Sequence, residues 1–510
     1  VDYHKSLLSG FITPADTIQT SVYWYWISDN LSKEGVEKDL ESMKSVGINR
    51  AFIGNIGLEP GNPPYGKVKL YSSEWWDILH AALKKAGELG IEIGIFNSPG
   101  WSQSGGPWVK PEQAMRYLAF SDTIVTGPCK LNIQLPKPKK DFQDVKVIAY
   151  PDLSMEENRI NSENSEITSE PVIQNIKNLA DGDMSTELSF SGNITVRFKC
   201  NDKKTVRSIT VYTTERTAAA LAEFYYRQGD KYILVKKFDI NRTNPSLQVG
   251  FNPYGPIVIS VPETNASEFK IVFNNASEKF GIREIQISSL PKTERYVEKS
   301  LAKLYQSFLP YWHEYMWPVQ PVIDSKYAID PSKVIDVTKY MDSEGNLNWN
   351  VPSGLWKIVR AGMTPTGVTN SPATPEATGL ETDKMSKKHI AAHFDAFLGE
   401  ILRRIPAEDR KTWKVVVEDS YEVGAGNWTD GFISEFKKKY GYNPVPYLPV
   451  LQGEVVKSHD VSDRFLWDLR RLVADKTAYD YVGGLREVSH KNGLTTWLEC
   501  YGHWGFPGEF

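Results

Sequence analysis

Trp413-Lys-Val-Val-Val-Glu-Asp-Ser-Tyr-Glu422 is the stretch on which the fold turns. Trp413 to Val417 is apolar but for Lys414 and rich in β-branched side chains, as a strand buried on both faces must be. It runs directly into Glu418, Asp419 and, after Ser420 and Tyr421, Glu422. A strand buried on both faces belongs to a parallel sheet covered by helices. In such sheets the chemistry gathers at the C-terminal strand ends.

The flanking sequence repeats the pattern. Ser21-Val-Tyr-Trp-Tyr-Trp26 reads as a strand, with Asn30 and Ser32 as candidate caps for a helix carrying Val36, Leu40, Met43 and Val46. Gly47 closes that helix, and Ile48 to Ile53 is the next strand. Trp75, Trp76, Leu79, Leu83, Ala86 and Leu89 mark a second helix ending at Gly90, followed by the strand Ile91 to Phe96. After Trp413–Val417, residues 429–440 and 464–490 read as helical, and Thr495-Thr-Trp-Leu498 as one more strand. Strand and helix in alternation predict βα units.

From about Leu131 to Leu290 the period changes to short alternating strands such as Thr205–Tyr212, Ser267–Phe273 and Gly281–Ile287. With Asp181-Gly182-Asp183, this part resembles the galactose-binding-like β-sandwich. The expected fold is therefore α/β: a (β/α)8 TIM-type barrel in two segments, 1–130 and 296–510, with an all-β galactose-binding-like sandwich inserted at 131–295. Thr495–Leu498 counts as about the fifth or sixth strand of a barrel that needs eight, so the barrel is expected to be incomplete at its C-terminal end.

Bulk properties narrow the function. A net charge of −4 over 510 residues favours neither nucleic acid nor an anionic membrane, and no apolar run approaches the about 20 residues of a membrane span. Cys129, Cys200 and Cys500 form neither a disulfide framework nor a zinc spacing. Walker, Rossmann and His-Glu-x-x-His motifs are absent. The 15 Trp and 25 Tyr supply flat faces with polar edges, which suit both a filled core and sugar rings.

Carboxylates crowded at a strand end repel one another, so at least one should hold its proton to higher pH. A raised carboxylic acid is what protonates a departing glycosidic oxygen. Glu499, after the strand Thr495–Leu498, is expected at the same end, with His503 and Trp504 as sugar contacts. The loop Asn97–Trp108 brings Trp101 and Trp108 to a substrate rim. The segment Pro372–Lys384 brings Glu376, Glu381 and Asp383, oxygen donors without the spacing of an EF-hand.

Four blocks resemble glycoside hydrolase family 106, the α-L-rhamnosidases. They are Ser98-Pro-Gly-Trp-Ser102 with Gly105–Ala114, Ala377–Lys384, Asp419–Gly424 with Asn427-Trp-Thr-Asp430, and Tyr501–Phe510. The resemblance implies a (β/α)8 barrel and exo-hydrolysis of terminal α-L-rhamnose from a glycan, with inversion and a calcium ion that helps hold the sugar. It implies Glu422 as general acid and Asp419 as its close neighbour in substrate or metal binding. Glu381 and Trp428, within the matching blocks, join Trp101, Trp108, His503 and Trp504 as expected sugar contacts; Glu418 and Glu499 are the calcium candidates. Family members run on well beyond this length, so the water-activating base is expected either at Glu499 or after Phe510. Family context points to an exported bacterial enzyme, periplasmic or at the cell surface. Two other readings stand beside it: a retaining glycosidase pairing Glu422 or Glu418 with Glu499, and a glycan-binding protein without turnover.

Overall fold

The structure is a computed structural model that describes residues 2–15, 17–58, 63–243, 250–304 and 317–499. Five strands form one parallel sheet: Ser21–Ile27, Arg50–Ile56, Glu92–Phe96, Trp413–Glu418 and Thr495–Leu498. Their order in space is their order in the chain. Consecutive parallel neighbours joined by right-handed crossovers put their crossover helices on one side, and the packing of three of them agrees. Trp24, Trp26, Ala51, Ile53, Ile93, Ile95 and Val416 face the helices Lys33–Ser45, Ser73–Leu89 and Lys387–Arg404, where Leu40, Leu79, Leu83, Phe394 and Phe397 complete one core. Each such side chain, fully buried, contributes about 1.5–3 kcal/mol. Serines cap all three helices: Ser32 accepts from Gly35 N, Ser72 from Trp75 N and Ser386 from His389 N.

The opposite face is aromatic. Phe52, Phe96, Val415 and Val417 pack there with Tyr25, Trp101 and Trp497. Gly94 is needed on this face, because a Cβ would stand 2.4 Å from the Phe52 ring. The sheet curls about these side chains, so that its fifth strand meets the first and second, neither of which is its neighbour. The Trp497 ring lies 5.9 Å from Tyr23 and 5.2 Å from Phe52.

Among the described residues the parallel sheet has five strands, Thr495–Leu498 being the fifth, and a closed eight-stranded barrel is not seen. The antiparallel part is also larger than expected. A six-stranded assembly built on Ile257–Ser288 and Leu188–Thr213 lies within 131–295. A second sheet orders Ile335–Asp336, Gln143–Pro151, Asn346–Pro365 and Arg116–Gln134. Its register runs from Asn346 opposite Gln134 to Pro365 opposite Arg116. Antiparallel structure thus reaches from Arg116 to Pro365, and the expected boundaries at 130/131 and 295/296 fall inside it. The sequence reading followed a change of period, whereas the partners of Arg116–Gln134 come from more than 200 residues downstream. No helix of the described residues is long and apolar enough to cross a membrane.

Candidate active site

Side chains alternate along a strand, so parity decides which acids reach the aromatic face. Val415 and Val417 point to it and Val416 to the helices. Asp419 therefore continues the aromatic side and Glu418 the helix side. By the same count Glu499 follows Trp497 onto the aromatic face. The Tyr23 hydroxyl meets both acids, donating to Glu499 Oε1 at 2.5 Å and lying 3.4 Å from Asp419 Oδ1. Burial, and then the neighbouring Glu499 carboxylate, push the Asp419 carboxyl up to about 7. Burial and the hydrogen bond to Glu499 push the Tyr23 phenol well above its usual range. Glu422 lies half-buried on the same turn, with Ser420 Oγ donating to its Oε1 at 2.8 Å. Trp101 borders the group, its ring 5.8 Å from Tyr25.

Glu418 does not belong to this surface. It is fully buried, and neither carboxylate oxygen has a hydrogen-bond partner among the described residues. Burial pushes its carboxyl up to about 8, although the Lys384 ammonium pulls the other way. The folded protein thus keeps this proton up to about pH 8, whereas an unfolded chain releases it near pH ~4.3. Stability should therefore fall as pH rises through that window. Glu418→Gln is expected to flatten the decline and to be the more stable protein at pH 8. Urea midpoints of both proteins at pH 5 and pH 8 measure this, and an unchanged slope in the variant would refute a neutral Glu418.

Behind the sheet lies a buried polar layer. Glu381 is wholly buried, accepting from Ser102 Oγ at 3.2 Å, Ser104 N at 3.1 Å and Lys384 Nζ at 2.5 Å. Its oxygens are used by the protein, which corrects its expected role as a sugar contact. Trp428, also expected at the sugar, is 1% exposed and packs on Phe432 in the core. Trp108 leaves the rim as well: it stacks on Phe397 on the helix side, and its Nε1 donates to His393 Nδ1 at 3.0 Å. That bond leaves the proton on His393 Nε2, which faces Asn97 O at 2.9 Å. Burial holds the imidazole neutral, down to about 3. His503 and Trp504 lie outside the described residues.

Among the described residues no three His, Cys, Asp or Glu side chains gather as a metal ion would require, and calcium takes about six to eight oxygens. The two calcium candidates do not converge, since Glu418 faces the helices and Glu499 faces Tyr23. The sequence reading missed Tyr23, Gln103, His393 and Tyr481. For Tyr23 a signal existed: in Val-Tyr-Trp-Tyr-Trp the two Tyr share one face and the two Trp the other.

Comparison with known proteins bears on the family and the fold of the chain. A protein of Formosa agariphila named "Putative beta-glucuronidase" is 28% identical over 502 residues, 98% of this chain and 31% of its own length. The solved structure of the rhamnosidase from Novosphingobium sp. PP1Y superposes with a TM-score of 0.78 at 26% identity, covering 98% of this chain and 48% of that one. The chain thus spans about half the length of one relative and about a third of the other. The glycoside hydrolase family 106 profile, described as alpha-L-rhamnosidase, matches residues 12–510. With that match over nearly its whole length, the chain belongs to the alpha-L-rhamnosidases of glycoside hydrolase family 106.

Proposed function

We propose that this chain carries acid groups of a glycosidase that removes terminal α-L-rhamnose from a glycan with inversion. One observation carries the reading: Glu499 and Asp419, the latter on the turn that also bears Glu422, meet on a single phenol beside an aromatic face. Glu422 gives its proton to the departing glycosidic oxygen as the C1–O bond breaks. Water adds to C1 from the other side and passes its proton to a carboxylate about 6.5–9.5 Å from the acid; Glu499 is the described candidate. Asp419, pushed up to about 7 and so about half protonated at pH 7, tempers the charge beside Glu499 and accepts or donates a hydrogen bond to a sugar hydroxyl. Trp101, Tyr25 and Trp497 offer apolar faces to the ring and its methyl group.

We read the five strands as part of a (β/α)8 barrel. Chain order equals spatial order, the helices share one side, and the first and fifth strands touch across the other.

The retaining reading pairs Glu422 or Glu418 with Glu499, and the burial of Glu418 on the helix side leaves Glu422 as its acid. The oxygens of Asp419 and Glu499 that meet Tyr23 stand 3.4 and 2.5 Å from it. The two carboxyls also share a hydrogen bond, which sets them closer than either an inverting couple or the about 5–5.5 Å of a retaining one. Proton NMR of the first sugar released from an aryl α-L-rhamnoside by the full-length protein separates the two readings. Release of the β-anomer is expected; the α-anomer first would overturn inversion. An aryl β-D-glucuronide run in parallel tests the activity named for the Formosa relative, and cleavage of it alone would overturn the rhamnoside assignment.

A further inference from the structure

The turn that carries Asp419 and Glu422 is held from behind as well as from the sugar side. Gln103, 2% exposed, donates its side-chain amide to the Asp419 carbonyl oxygen. The other end of that amide, Oε1, accepts the Tyr481 hydroxyl at 2.6 Å. With Oε1 occupied by a donor, the Nε2 end must face Asp419. Ser104 Oγ stands 2.8 Å from the same tyrosine hydroxyl and donates to Asn97 Oδ1 at 2.5 Å. Asn97 in turn binds the Val417 carbonyl through its backbone N at 3.0 Å and its Nδ2 at 3.2 Å. The Val417 and Asp419 carbonyls, two residues apart at the strand end, are thus both taken by the loop 97–104.

Two irregularities support a dedicated device. Gln103 adopts φ 126°, where a residue with a Cβ is strained and persists only when its surroundings enforce it. Tyr481 lies in a single π-helical turn, Thr477–Val482, between the helices His459–Lys476 and Gly483–Lys491. Such turns displace a side chain from α-helical register and recur at functional sites.

We infer that Gln103 and Tyr481 are positioning residues, a clamp on the Asp419 peptide that aims the acid-bearing turn at Tyr23 and Glu499. The catalytic consequence rests on the function proposed above; the clamp itself does not. Tyr481→Phe removes one hydroxyl within an otherwise unchanged core. Gln103→Glu keeps an acceptor for Tyr481 and removes the donor to Asp419.

Hydrogen exchange followed by mass spectrometry on the full-length protein tests the clamp without reference to activity. Both variants should lose protection by about tenfold or more in the peptide covering 418–424, with the antiparallel sheets unchanged. Unaltered exchange there would overturn the clamp even if no substrate were turned over. Kinetics on the glycoside that the wild type cleaves tests the consequence. We expect kcat to fall about 10–100-fold with KM within about twofold, as misplacement of a reacting group predicts. Lost protection with kcat unchanged would leave the clamp structural and overturn its positioning role. Should Tyr481→Phe fail to fold, Gln103→Glu carries both measurements.

Discussion

Glu422→Gln is expected to lower kcat/KM on an alkyl α-L-rhamnoside by about 10²–10⁴-fold, the range that general-acid catalysis spans. An alkoxide cannot leave unprotonated, so the whole of that factor should appear. A nitrophenolate leaves without help, so a nitrophenyl rhamnoside should lose far less. The contrast between the two substrates separates a proton donor from a residue that only shapes the site, which would harm both alike. The substitution suits this position. The amide keeps the acceptor that Ser420 Oγ uses at 2.8 Å, and Glu422 is half-buried rather than locked in a core. Alkyl and nitrophenyl rates falling in parallel would transfer the donor role to Asp419, whose carboxyl is already pushed up to about 7.

The sequence makes the parallel sheet readable because each strand declares itself locally. Val-Tyr-Trp-Tyr-Trp, Glu-Ile-Gly-Ile-Phe and Lys-Val-Val-Val are apolar runs bracketed by glycines, serine caps or acids, and all three form strands. The antiparallel boundaries did not emerge this way. Arg116–Gln134 is paired by a strand that starts at Asn346, and nothing within a short window of either segment records that pairing. Arg116 illustrates the point: a charged residue at a strand start reads as surface, yet it is fully buried, held by Asp383 at 3.1 Å and Asp430 at 3.0 Å.

At the site, an acid directly after an apolar strand was a sufficient signal for Asp419 and Glu499. Telling Glu418 from Asp419 required one further step, the parity of Val415, Val416 and Val417. Trp101 and Trp108 show why loops resist such reading. They are seven residues apart in one loop, yet one lies on the aromatic face and the other behind the sheet against Phe397. No period links residues in a turn of irregular backbone, so composition marks the loop without saying which Trp joins the aromatic face.

The acid-rich segment Pro372–Lys384 was misread for an electrostatic reason, and that reason yields a large effect on stability. Lys384, 3% exposed, gives its ammonium to Glu381 Oε2 at 2.5 Å, to Ser104 O at 3.1 Å and to Thr382 O at 3.0 Å. Lys384→Met preserves most of the stem's volume but leaves a buried carboxylate and two buried carbonyls without their cation. Breaking one side of a buried pair costs about 3–5 kcal/mol. The urea midpoint of the variant should fall accordingly. Replacing both partners, Lys384→Met with Glu381→Leu, removes the stranded charge and should recover part of that loss, the remainder reflecting Ser102 Oγ and Ser104 N left without their acceptor. A sugar ligand at Glu381 would behave otherwise: Lys384→Met would then raise KM and leave the midpoint in place. A midpoint shift that the double variant partly reverses therefore fixes Glu381 and Lys384 as the floor on which the loop 97–104 rests, beneath the acids rather than among them.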